Sequence, residues 1–133
     1  MINIRSPREI ELLRKSAQIV VESLKLAESR IAPGLNTKEL DLEIADYILS
    51  KGARPAFKGF HGYPGNTCIS IDEEIVHGIP GDRCLKEGEI VSVDIGVELN
   101  GYYGDAARTF AVGQVDEEKR RLMSVTKKSL DLA

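Results

Sequence analysis

The sequence predicts an α+β fold in which an antiparallel β-sheet is covered by helices on one face, and three observations carry that prediction. Two amphipathic helix patterns come before any strand pattern, a long hairpin is built around Asn100-Gly101, and one arm of the hairpin alternates between apolar and polar residues. At 133 residues there is length for one buried core and little room for a second independent unit.

Ser6-Pro7-Arg8-Glu9 is a capping-box arrangement with proline at the first helical position, where its missing N–H costs nothing, so a helix is expected to start at Pro7. Apolar residues at Ile10, Leu13, Ala17, Val20, Leu24, Ala27 and Ile31 fall three and four apart and form one core-facing stripe, which Ala32-Pro33-Gly34 ends. Asn36, with Glu39 three residues on, opens a shorter helix whose stripe is Leu40, Ile44, Tyr47 and Ile48 and which Gly52 closes. Residues 53–66 are rich in glycine and proline, carry Phe57, Phe60 and Tyr63, and show no periodicity. They read as an ordered loop long enough to reach over a site.

Residues 67–71 read as a short β segment, Asp72-Glu73 as a turn, and 74–77 as a second β segment cut off by Gly78 and Ile79-Pro80-Gly81. The hairpin follows, with arms 89–99 and 102–112 joined by the dipeptide that best supports a two-residue type I′ turn. Asp116 can cap a last helix running to Ala133. That helix carries Leu122, Val125 and Leu132 on one side and has no glycine, asparagine or proline to terminate it.

Composition narrows the functional classes. Hydrophobic residues make up 42% and charged residues 29%, as in an ordinary globular chain. A net charge of −3 with both signs scattered offers no basic stripe for phosphates or anionic lipid, so nucleic acid and membrane surfaces are not expected partners. No apolar run approaches a membrane span and no apolar signal segment opens the chain, which makes the cytoplasm the expected location. In that compartment Cys68 and Cys84 are expected to be free thiols.

If Leu99 and Tyr102 pair across the turn, the numbers of opposing residues sum to 201, so Asp94 faces Ala107 and Asp105 faces Gly96. Both acids then share one side of the sheet as diagonal neighbours roughly 7–8 Å apart. Val91, Val93, Ile95 and Val97 point to the other side, where the helices are expected. Small residues beside the acids, Gly96 and Ala107, suggest a cavity floor. Two readings stay open on spacing alone: a cation held between two carboxylates, or acids lining the solvated face of a hairpin.

The stretches Asp94-Ile95-Gly96, Asn100-Gly101-Tyr102-Tyr103-Gly104-Asp105 and Ala107-Arg108-Thr109-Phe110 closely resemble the metal hairpin of the methionine aminopeptidases. His61-Gly62-Tyr63-Pro64, Cys68-Ile69-Ser70 and Val76-His77-Gly78-Ile79-Pro80-Gly81 resemble that family's substrate-pocket loop and the strands after it. The resemblance spans nearly all of the chain. It implies a pita-bread fold, two similar halves around a pair of divalent metals (Co, Mn, Fe or Zn), with residues 1–133 forming the N-terminal half and the C-terminal half absent.

By the same resemblance, Asp94 would chelate one metal and Asp105 bridge the pair, while His77 would hydrogen-bond the substrate near the scissile bond. His61, Phe60, Tyr63 and Cys68 would line the pocket for a methionine side chain, to which aromatic and soft residues are suited. The implied reaction removes the initiator methionine from nascent peptides by attack of metal-activated water. A histidine and two glutamates of the family's ligand set have no counterpart here, so the chain alone is expected to show little turnover. Glu98 shares the acids' face, but no family motif assigns it to the metal. Two alternatives are a non-catalytic module that keeps the fold and an X-Pro aminopeptidase. A half without its partner is also expected to self-associate through exposed apolar surface.

Overall fold

The computed structural model describes residues 4–133, and the first element among them is helix α1 (Pro7–Arg30). The capping box forms as expected: the Ser6 hydroxyl accepts from the Glu9 amide while the Glu9 carboxylate accepts from the Ser6 amide at 2.8 Å. Helix α2 (Thr37–Ser50) is capped by Asn36, which accepts from the amides of Lys38 and Glu39. Arg30 at the end of α1 makes a two-pronged contact with Glu43 of α2, both bonds 2.7 Å, which ties the helices together.

The buried stripe of α1 differs from the expected one. Ser16, Ile19, Val20, Ser23, Leu24 and Ala27 are buried, whereas Ile10 and Ala17 are not. The serine hydroxyls are satisfied by carbonyls: Ser23 donates within the helix to Ile19 O at 2.8 Å, and Ser16 donates to Tyr102 O in the sheet at 2.8 Å. Their small size lets α1 come close to the strand beneath it. A Cβ on Gly104 would stand 2.6 Å from the Ala17 amide nitrogen, so the helix backbone passes directly over that glycine.

Among the described residues, four strands form one antiparallel sheet: β1 (Arg54–Pro55), β2 (Cys68–Ile71), β3 (Ile90–Leu99) and β4 (Tyr102–Ala111). Strand β3 is central. It pairs along its whole length with β4 in the expected register, Leu99 opposite Tyr102, Gly96 opposite Asp105 and Asp94 opposite Ala107. On its other edge it pairs with β1 at one end (Pro55 opposite Val97) and with β2 further along (Cys68 opposite Asp94). Residues 56–67 are therefore an excursion between two strands that share one edge. Val91, Val93, Ile95 and Val97 are fully buried against Val20, Leu24, Leu40, Ile44 and Ile48, so both of the first two helices cover the apolar face.

The segment 74–77 is not a strand. Asp72 turns the chain with φ +49, Glu74 folds back so that its carboxylate accepts from the Ile71 amide at 2.8 Å, and His77 is again left-handed at φ +59. Ile75 and Val76 are exposed, so the apolar pattern there has no core to enter. The chain instead rejoins the sheet at Gly78, whose carbonyl accepts from Ile69 N at 2.9 Å and whose amide donates to Ser70 Oγ at 3.0 Å.

Helix α3 (Glu117–Leu132) starts at the expected Asp116 cap, but none of its residues is buried. Its first turn is pinned by Lys119, which donates to Asp72 Oδ1 and to Gly88 O, each at 2.8 Å. Leu122, Val125 and Leu132 face solvent. Both cysteines are free thiols, and among the described residues no helix is long and apolar enough to cross a membrane.

Candidate metal centre

Strict alternation along β3 turns Asp94 to the face opposite the buried valines, and the β3–β4 register brings Asp105 to the same face. Asp94 is half-buried. Its Oδ1 is enclosed and has no hydrogen-bond partner among the described residues. An unpaired buried carboxylate oxygen is costly, and an oxygen-preferring cation is one way to satisfy it. Burial holds the Asp94 carboxyl above the ordinary aspartate range, the negative charge of Asp105 pushes it the same way, and His77 opposes both. Asp105 itself is exposed. An all-oxygen donor pair with one orphaned oxygen fits a divalent ion, although no group of three metal-capable side chains occurs among the described residues.

The edge opposite β4 supplies the neighbours. Cys68 lies directly across from Asp94 in the β2–β3 pairing and is buried. Burial pushes its thiol up, and the charges of Asp94 and Asp105 add to that. The Tyr63 hydroxyl lies within hydrogen-bond distance of two carbonyls, Gly78 O at 2.9 Å and Thr67 O at 3.0 Å, linking the loop to the segment that follows His77. Gly78 has to be glycine for that docking, because a Cβ there would sit 2.2 Å from Ile69 O. His77 is thus held one residue from a fixed anchor, with an exposed ring.

The sheet floor beside the acids is not open, contrary to the cavity suggested by Gly96. The ring of Phe57 lies on that glycine: a Cβ there would come within 2.4 Å of Phe57 Cε1. The hydrogen bond from Ala56 N to Gly96 O, 2.9 Å, brings the loop down at this point. Phe60 and His61 form a separate, exposed pair in a short 3-10 turn (Phe60–Gly62), edge to face at 4.4 Å between centroids. The structure therefore gathers Asp94, Asp105, Cys68, Tyr63 and His77 around the edge of one sheet face, with Phe60 and His61 on the outside of the loop. Glu98 is engaged otherwise, with Arg54 and the Gly101 amide.

Asp41 was not singled out from the sequence, and Phe57 was noted there only as an aromatic of the loop, with no place at the site. Asp41 is 5% exposed and accepts four hydrogen bonds from Asn66 and Thr67. A signal for it existed: it falls on the buried stripe of α2, four residues after Thr37 and three before Ile44.

The model of metallopeptidase family M24 matches residues 11–133. A methionine aminopeptidase from Clostridium perfringens is 45% identical over 129 residues, covering 97% of this chain and 52% of the relative. Among solved structures, methionine aminopeptidase from Thermotoga maritima superposes with a TM-score of 0.95 at 40% identity over 98% of this chain and 53% of that one. A prolidase from Pyrococcus furiosus superposes at 0.78, with 27% identity over 89% of this chain and 34% of its own. The chain spans about half the length of the relatives it matches. Its α+β architecture is that of a pita-bread half. With two acids in register on the hairpin and a family model covering all but the first ten residues, the chain belongs to metallopeptidase family M24.

Proposed function

We propose that this chain contributes part of a methionine aminopeptidase site, in which initiator methionine is removed from peptides. The observation that carries the reading is the orphaned Oδ1 of Asp94 on the same sheet face as Asp105. In it, Asp94 and Asp105 hold divalent metal, and a histidine and two glutamates from a C-terminal half complete the ligand set. Relatives about twice as long support that division, with residues 1–133 as the N-terminal half of the catalytic domain. A bound divalent metal supplies Lewis acidity at the carbonyl and an acidified water.

The chain's own residues do the rest. His77 hydrogen-bonds the peptide next to the scissile bond, a task for which its exposed ring and fixed anchor suit it. Tyr63 and Cys68, with Phe60 and His61 closing from the loop, receive the thioether side chain. Co, Mn, Fe and Zn are the candidate metals, the cytoplasm is the location, and pairing with a C-terminal half or self-association covers the exposed leucines of α3.

The test compares hydrolysis of Met-Ala-Ser and of an X-Pro peptide by this chain alone and joined to the C-terminal half of the Clostridium perfringens relative. Little turnover alone, and methionine release on joining, is the expected result. Preferential X-Pro cleavage by the joined enzyme would overturn the assignment.

A further inference from the structure

We infer that Asp41 is a positioning residue that sets the Tyr63 and Cys68 wall of the candidate pocket from the far side of the sheet edge. Its significance for catalysis rests on the pocket reading above, but its geometry does not. Asp41 Oδ1 accepts from the amides of Asn66 (3.0 Å) and Thr67 (2.8 Å) and from the Thr67 hydroxyl (2.8 Å), while Oδ2 accepts from Asn66 Nδ2 at 2.7 Å. Four donors on one carboxylate use up its acceptor sites, and among the described residues they come from two consecutive residues, not from a cation.

A carboxylate placed on the buried stripe of a helix is costly to desolvate, and the apolar residues Leu40, Ile44 and Ile48 already pack α2 onto the sheet. What the acid adds is location. Asn66 and Thr67 are the last residues of the loop before β2 begins at Cys68. The Thr67 carbonyl is one of the two acceptors in reach of the Tyr63 hydroxyl, and Cys68, the next residue, stands opposite Asp94. Fixing two amides and two side chains of Asn66 and Thr67 therefore fixes where the loop returns to the sheet. With that point go the Tyr63 ring and the Cys68 thiol. Hydrogen bonds to ionisable acceptors in a buried network are the strong ones, and they hold a unique geometry where apolar packing tolerates sliding.

The test reads the thiol of Cys68, made the only cysteine by Cys84→Ser, through its labelling rate with a thiol reagent at fixed pH. Asp41→Asn sets an amide NH2 against that of Asn66. Adding Asn66→Asp reverses donor and acceptor and restores the pair. Cys68 is expected to label roughly tenfold faster or more in Asp41→Asn without denaturant. The rate should exceed what the urea-derived global unfolding constant allows and return toward the parent in the double variant. Labelling unchanged by Asp41→Asn, or raised only in step with global unfolding, or not restored by Asn66→Asp, would overturn the inference.

A parallel series with Met-Ala-Ser on the chain joined to the C-terminal half used above, its other cysteines replaced by serine, separates this inference from the pocket reading. Protection of Cys68 by the peptide, together with the labelling pattern just described, supports both. No protection, together with the labelling pattern just described, supports the role of Asp41 and defeats the methionine pocket.

Discussion

Replacing Gly78 by alanine tests how the segment bearing His77 is held. The added Cβ would meet Ile69 O at 2.2 Å, Ile69 C at 2.8 Å and Ser70 Cα at 2.9 Å, all backbone atoms of β2 that no rotamer change can move. Ordinary contact requires a retreat of roughly 1 Å or more. Three hydrogen bonds converge on this residue: Ile69 N to Gly78 O at 2.9 Å, Gly78 N to Ser70 Oγ at 3.0 Å, and the Tyr63 hydroxyl to Gly78 O at 2.9 Å. At about 1 kcal/mol net for each bond, with the single Tyr63 proton shared between Gly78 O and Thr67 O, their loss destabilises the chain by about 2–3 kcal/mol. Urea unfolding followed by circular dichroism measures it. Gly81→Ala is the control, since its Cβ meets nothing nearer than 3.9 Å. A change below about 0.5 kcal/mol in Gly78→Ala, the range of an ordinary surface substitution, would refute the docking argument.

Two further perturbations probe the fold around the site. Gly104→Ala would place a Cβ 2.6 Å from the Ala17 amide and 2.7 Å from Ser16 C, lifting α1 from β4 and straining the Ser16–Tyr102 bond; a loss of about 1–3 kcal/mol is expected in the same assay, and none would contradict the close approach. Burial alone would raise the Asp72 carboxyl, but Lys119 and the Ile90 amide prevail and hold it below the usual range. A depressed folded pKa gives stability that is present above the unfolded value, near 3.9, and lost as pH falls through the folded one. The stability difference between the parent and Lys119→Met should therefore be full at pH 7 and narrow below about pH 4 to the share that the Lys119 bond to Gly88 O contributes at every pH; a gap unchanged from pH 7 to pH 2 would count against the ion pair.

The hairpin was readable because two independent constraints agree on it. Asn100-Gly101 sets the turn, and the alternation of Val91, Val93, Ile95 and Val97 sets which side is buried, so Asp94 and Asp105 fall on the opposite face without further information. The caps at Ser6, Asn36 and Asp116 were readable for a similar local reason. The buried face of α1 was not, because a hydrophobic pattern treats Ser16 and Ser23 as polar, whereas their hydroxyls bond carbonyls and their size admits a strand. Segment 74–77 has strand-like residues, yet Ile75 and Val76 find no core, and tertiary context decided against them. Two-residue β1 carries no periodicity to detect.

The site shows the same division. The two acids come from register alone. That Tyr63, Cys68 and His77 stand near them depends on a loop that leaves the edge of β3 at the end of β1, residue 55, and returns to it with β2 at residue 68, and only the resemblance pointed to that. Phe57 on Gly96 and the partners of Asp41 depend on contacts between distant parts of the chain; the helix pattern places Asp41 on the buried stripe of α2 but does not report that it holds Asn66 and Thr67.

The central claim, that the face bearing Asp94 and Asp105 holds a divalent ion, is tested most directly by adding Mn(II) in small amounts to the isotopically labelled chain and following paramagnetic broadening of its amide resonances, which detects even weak binding. Broadening centred on residues 94–96 and 105–107, and abolished by Asp94→Asn with Asp105→Asn, is the predicted result. Broadening centred elsewhere, absent from these amides, or unchanged in the double variant would contradict it.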